Sequence, residues 1–210
     1  PMYDRAGQRI EYVARPDSPR EDPQKPGKII KYEYPARHAM RLDCCPTTTN
    51  LAQLSDPAVP LVITEGIRKA DSAVSRGACV VTLNGVWAWI TKGVALPDWD
   101  SIPLRGRQVY LAFDSDVMEK PEVHTAMQGL GNFLTVLGAK PRYVYLPPGI
   151  DGAKVGLDDF FVQGHTLTDV WRCAEEMLRD APEEKARVRP CITTMDTVER
   201  APIDWLWYPY

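Results

Sequence analysis

Asp114 and Asp116 stand two residues apart after the apolar run Val109-Tyr110-Leu111-Ala112-Phe113. In extended backbone, alternate side chains point to the same side, so the two carboxylates would face one point. Like charges held that close repel unless a proton or a cation intervenes. Carboxylate oxygens are hard ligands and favour Mg²⁺, with Mn²⁺ or Ca²⁺ as alternatives, over zinc. A D-x-D triplet alone is also an ordinary surface turn. A second feature shifts the balance: Glu65-Gly66 directly follows another apolar run, Leu61-Val62-Ile63-Thr64. Glycine at a strand-to-helix turn lets backbone approach a ligand closely, and the amides of the helix start suit a phosphate. Glu65, Asp114 and Asp116 are therefore the candidate catalytic and metal-binding residues. Without a cation, their repulsion predicts that one of them takes up a proton more readily than an isolated carboxylate does.

Such residues need elements to hold them. Apolar runs predict strands at 61–64, 79–83, 109–113 and 143–146. Helical spacing predicts helices over 67–76, 121–137 and 167–179, with Gly77 and Gly138 as stops for the first two. Strands alternating with helices give an α/β fold, a Rossmann-like and mostly parallel sheet flanked by helices. Sites in such sheets gather beyond the carboxyl ends of the strands, so Glu65 and Asp114 should emerge on one rim. Residues 1–57, rich in Pro and charge with short β-prone pieces, read as an irregular basic extension before a domain over 58–180. Residues 181–210 read as a linker whose aromatic end leads into a further domain.

The 210 residues are 44% hydrophobic and 25% charged, ordinary for a soluble globular protein. No apolar run approaches the roughly 18 residues that span a bilayer, and the first residues lack a signal core. Five scattered cysteines without a C-x-x-C pair read as reduced thiols of a cytoplasmic protein. The net charge of −3 conceals an asymmetry: residues 1–42 carry nine Lys/Arg against six Asp/Glu, which leaves the remainder acidic. A basic stretch beside an acidic body suits phosphate contacts by Lys31, Arg37 and Arg41, although a solvated face has the same composition. His38, His124 and His165 fall in different elements and read as surface or hydrogen-bonded histidines. Trp87 and Trp89 either pack a long loop onto the core or stack a base.

Three blocks in order resemble the Toprim (topoisomerase–primase) domain. They are Val62-Ile63-Thr64-Glu65-Gly66 with Lys69 and Asp71, then Phe113-Asp114-Ser115-Asp116, then Lys154-Val155-Gly156-Leu157-Asp158-Asp159-Phe160. The likeness is closest to Toprim-like domains of plasmid, phage and mobile-element primase-helicase replication proteins, which share Gly85-Val86-Trp87 as well. It implies that Asp114 and Asp116 hold Mg²⁺, with Glu65 as third ligand or general base, for nucleotidyl transfer. Asp158 and Asp159 become outer ligands or caps of the following helix, and Lys69 and Lys154 phosphate contacts. DNA and nucleotides are the implied partners, with a RecA-like helicase after Tyr210.

The chain departs from replicative primases in lacking their four-ligand zinc module and the basic helical part of their core. Two alternatives therefore stand beside a primase: a non-catalytic module that positions nucleic acid or nucleotide for the helicase, and a metal-dependent nuclease or topoisomerase-like domain. No tyrosine is marked as the nucleophile that covalent strand cleavage would need.

Overall fold

A computed structural model describes residues 1–24, 26–35 and 39–182. Arg37, His38, Cys191 and the 183–210 stretch with its aromatic end lie outside the described residues.

The N-terminal residues form a small hairpin of β1 (Met2–Tyr3) and β2 (Arg9–Glu11), followed by α1 (Thr48–Leu54). The main run is β3 (Leu61–Glu65), α2 (Ile67–Val74), β4 (Cys79–Leu83), a hairpin of β5 (Ile90–Thr91) and β6 (Val94–Ala95), β7 (Gln108–Ala112) and α3 (Pro121–Val136). It closes with β8 (Lys140–Val144), α4 (Leu157–Val162), α5 (Leu167–Arg172) and β9 (Ala174–Glu175). Five strands form one sheet in the order β4-β3-β7-β8-β9, the first four parallel and β9 antiparallel to β8.

Period-two alternation covers both faces. Ile63, Val81, Leu83, Leu111 and Phe113 pack on one side with α3 residues Met127, Leu130 and Leu134. Val62, Val80, Ala112 and Val144 face the other side, against Ala70 and Ala73 of α2 and Phe160 and Phe161 of α4. A strand buried on both faces must be apolar throughout, which is why 61–64 and 79–83 read as unbroken hydrophobic runs.

The last helix is shorter than its spacing predicts. It stops at Arg172, and the chain returns as β9, pairing Ala174 with Val144 and Glu175 with Tyr143. The outer edge of β8 would otherwise present unpaired backbone groups, and satisfying them outweighs extending the helix to 179. Strand β8 also begins earlier than expected, at Lys140, with Pro141 tolerated near its start.

The opposite edge is closed by residues that their Pro-rich, charged surroundings do not announce. Asp43 exchanges two backbone hydrogen bonds with Thr82, at 3.1 and 2.9 Å. The Asn50 amide on α1 accepts from the Val80 N–H at 2.8 Å and donates to the Val80 carbonyl at 3.2 Å. Met2, Leu42, Cys44 and Leu54 are buried, so the 1–57 stretch adds to the core. Arg107, fully buried, fastens α1 from beneath by donating to the carbonyls of Gln53, Leu54 and Val59 at 2.9, 3.0 and 2.8 Å. The four described cysteines, Cys44, Cys45, Cys79 and Cys173, form no disulfide, and burial raises the pKa of each. Among the described residues no helix is long and apolar enough to cross a membrane.

Candidate functional site

From β3 the chain moves outward to β4, then crosses back to β7 on the other side of β3. That reversal leaves a crevice at the carboxyl ends of β3 and β7. Thr64 pairs with Ala112 across it, so Glu65 and Asp114 leave adjacent strands on the same rim. Gly66 follows Glu65 with φ 94°, a backbone conformation L side chains rarely adopt, and starts α2 with no side-chain cap.

The D-x-D triplet is not extended throughout. Asp114 is (φ −69°, ψ 157°), but residues Ser115–Met118 coil into a 3-10 turn, so simple alternation does not set the direction of Asp116. The two carboxylates meet through lysine instead. Lys154 ion-pairs with Asp114 and stands 3.5 Å from Asp116 Oδ2, Lys69 lies 2.5 Å from Asp114 Oδ1, and Lys120 pairs with Asp116 one helical turn on. Asp114 is 3% exposed, and a charge so buried requires such partners. Ser115 brings the third block in: its N–H donates to the Val155 carbonyl and its Oγ accepts from the Val155 N–H, both at 2.9 Å. That stitch carries Lys154 and Asp158 to the rim.

The paired aspartates of the third block separate in role. Asp159 Oδ2 accepts from the Gly156 N–H at 3.1 Å and caps α4. Asp158 turns toward the rim. A Cβ on Gly156 would sit 2.8 Å from Asp158 Oδ1, 3.0 Å from Asp114 Oδ1 and 2.6 Å from Lys69 Cε. Glycine is there because the rim closes around it.

Electrostatics separate Glu65 from Asp116. Burial raises the Glu65 carboxyl pKa, Lys69 opposes it, and the nearby Asp114 charge adds to the rise. Burial would raise Asp116 too, but the ammonium groups of Lys120 and Lys154 outweigh it and hold this carboxyl below its ordinary value. The raised proton affinity therefore falls on Glu65 and not Asp116, with burial as its first cause and the Asp114 charge a smaller one.

Among the described residues no three His, Cys, Asp or Glu side chains stand in a metal-holding group; ammonium groups lie between the carboxylates. The donor set nevertheless suits a hard cation. Asp158 Oδ1 is buried and accepts no hydrogen bond, Asp114 Oδ1 has only the Lys69 ammonium beside it, and both crowd the bare side of Gly156. A buried carboxylate oxygen left without a donor, next to a second carboxylate and a glycine that keeps space open, suits Mg²⁺.

The outlying candidates fall elsewhere. Lys31 is exposed, whereas Arg41 is committed to Asp98, with Nε 2.9 Å from both carboxylate oxygens and Nη2 at 2.7 Å from one. His124 is buried with Nε2 2.8 Å from the Arg179 carbonyl, and His165 stacks on Phe160 at 4.0 Å. Trp89 packs against Phe133, ring centroids 5.3 Å apart, while Trp87 is exposed. Ser115, Lys120 and Gly156 are site residues that sequence reasoning did not assign. The four-residue spacing from Asp116 to Lys120 was the available signal for one of them. Beside Glu65 a cleft of about 510 Å³ opens between the rim and the N-terminal segment, with Arg15, Tyr32 and Tyr34 on the near side.

The fold is similar to part of a solved primase. The crystal structure of the Aquifex aeolicus primase, covering its zinc-binding and RNA polymerase domains, superposes with a TM-score of 0.53 over 82% of this chain and 38% of that one, at 19% identity. The chain belongs to the family described as Domain of unknown function (DUF3854), whose model matches residues 52–166. An uncharacterized protein of Picosynechococcus sp. is 27% identical over 184 residues, which cover 70% of this chain and 18% of that protein. The chain thus spans less than a fifth of this relative's length and well under half of the primase chain.

Proposed function

We propose that this chain is a Toprim-type, Mg²⁺-dependent nucleotidyl-transfer domain of a primase-helicase that replicates a mobile element in the cytoplasm. One observation carries the reading. The buried, lysine-paired carboxylate of Asp114 and the buried, donor-free Oδ1 of Asp158 lie at the crevice where the sheet order reverses, beside Glu65, in a fold shared with a primase. Asp114, Asp116 and Glu65 would hold the ion, with Asp158 alongside. Bound there, Mg²⁺ would supply neutralisation of the charge on a reacting phosphate. The chain's own groups do the rest. Lys69 fixes Asp114 from the α2 side, and the half-exposed Lys154 can turn from Asp114 toward a phosphate. Asp159 holds the start of α4 and so keeps Asp158 at the rim. DNA and nucleotides are the partners, and a helicase follows Tyr210.

The three lysines favour one second reading, a non-catalytic module that positions nucleic acid or nucleotide for that helicase. Thermal melts with EDTA and across Mg²⁺ and Mn²⁺ titrations test the metal. Saturation at ~100 Kd stabilises the wild type by about 2.7 kcal/mol. Asp116→Asn should lose most of that gain and, having lost its pairs with Lys120 and Lys154, melt slightly lower without metal. A wild-type melt indifferent to both ions, with and without nucleotide, would overturn the metal site. Template-dependent incorporation of ribonucleotides then separates the enzyme from the module.

A further inference from the structure

We propose that the cleft between the N-terminal segment and the β3–α2 turn is a nucleoside triphosphate site, in which the Tyr32 ring stacks on the base while Arg15 and Arg68 face the phosphates. This rests on reading the neighbouring carboxylate rim as a phosphate-transfer site, because Glu65 lines both.

At about 510 Å³ the cleft lies within the range of small-ligand sites, roughly 300–1,000 Å³, and suits one nucleotide better than a strand. Its two walls differ in chemistry. The N-terminal segment brings Val13 and the rings of Tyr32 and Tyr34, an apolar and flat surface. The sheet brings Arg68 and Lys69 from the first turn of α2, whose start no side chain caps. Tyr32 is 46% exposed, an aromatic ring left open on the wall of the cleft. Arg15 and Arg68 are exposed and make no ion pair with any described residue, whereas Lys69 beside them is paired with Asp114. Two unpaired guanidinium groups across a cleft from one another's element are a fork for phosphate oxygens. A ring beside them is a sequence-tolerant platform for a base. A sugar without phosphate would leave the cations unused, and a bare phosphate would leave the ring unused.

The test is calorimetric titration of the whole chain with Mg²⁺-ATP and Mg²⁺-GTP. Wild type should bind both, because stacking discriminates little between bases. Tyr32→Phe should keep Kd within about twofold, Tyr32→Ala should raise it about tenfold, and Arg15→Ala with Arg68→Ala should raise it about tenfold and flatten its salt dependence. The Mg²⁺-induced rise in melting temperature, measured without nucleotide, should be the same in Tyr32→Ala as in wild type. Absence of nucleotide binding by wild type, or equal Kd in Tyr32→Ala and wild type, overturns the proposal. So does tight binding of a short single-stranded oligonucleotide that ATP cannot displace, which would assign the cleft to a strand. Loss of the Mg²⁺ response with Tyr32-dependent ATP binding intact would instead remove the metal reading and leave the cleft assigned.

Discussion

Gly156→Ala isolates the geometry of the rim from its charge. The residue sits at φ −97° and ψ 177°, backbone that alanine adopts without strain, so the whole effect of the methyl group is steric. That methyl would meet Lys69 Cε at 2.6 Å, Asp158 Oδ1 at 2.8 Å and Asp114 Oδ1 at 3.0 Å. The Lys69 methylene, near the end of a flexible side chain, can yield. Asp114, 3% exposed and paired on both oxygens, cannot do so without moving the turn that carries it. Overpacking of this kind costs about 1–3 kcal/mol, read as a shift of the urea midpoint at constant slope. Metal-ligand distances hold only within about 0.2 Å, so displacing two carboxylate oxygens further than that should weaken Mn²⁺ or Mg²⁺ at least about tenfold. Adding Lys69→Ala removes the closest clash. It also takes a partner from the buried Asp114, so the double variant should recover neither the stability nor the metal affinity. Wild-type stability and a wild-type metal response in Gly156→Ala would refute the claim that the rim closes on this glycine.

Arg107→Met should cost about 3 kcal/mol or more in denaturant unfolding, because it strands buried carbonyls of α1 and Val59, and Arg107→Lys should not rescue it since one ammonium cannot reach all three; a loss under about 1 kcal/mol would contradict this. Burial pushes the Asp43 carboxyl up to about 6, against the Tyr3 N–H bond that lowers it. The folded state then holds a proton that the unfolded chain has released, so this group's penalty is absent below about pH 4, grows as pH rises to about 6 and is complete above, reaching about 3 kcal/mol. Asp43→Asn should therefore raise the melting temperature at pH 7.5 and leave it little changed at pH 4; an equal effect at both would exclude the mechanism.

The sequence by itself determined the sheet and the rim. Continuous apolar runs at 61–64, 79–83 and 109–113 could be satisfied only by strands buried on both faces, and their order placed Glu65 and Asp114 at neighbouring carboxyl ends. It did not determine where α5 ends, because that is decided by the bare edge of β8, a partner about 30 residues earlier in the chain. Nor did it reveal that Asn50 closes the edge of β4 or that Arg107 belongs inside, since polar residues in polar surroundings carry no periodic signal. The site divides along the same line. Carboxylates were legible from type and spacing. Their charge state was not, because Lys69, Lys120 and Lys154 arrive from three different elements and only the Ser115–Val155 stitch brings the last of them into contact. Spacing along the chain reports what one element can present, whereas a buried charge is set by whatever the fold packs against it.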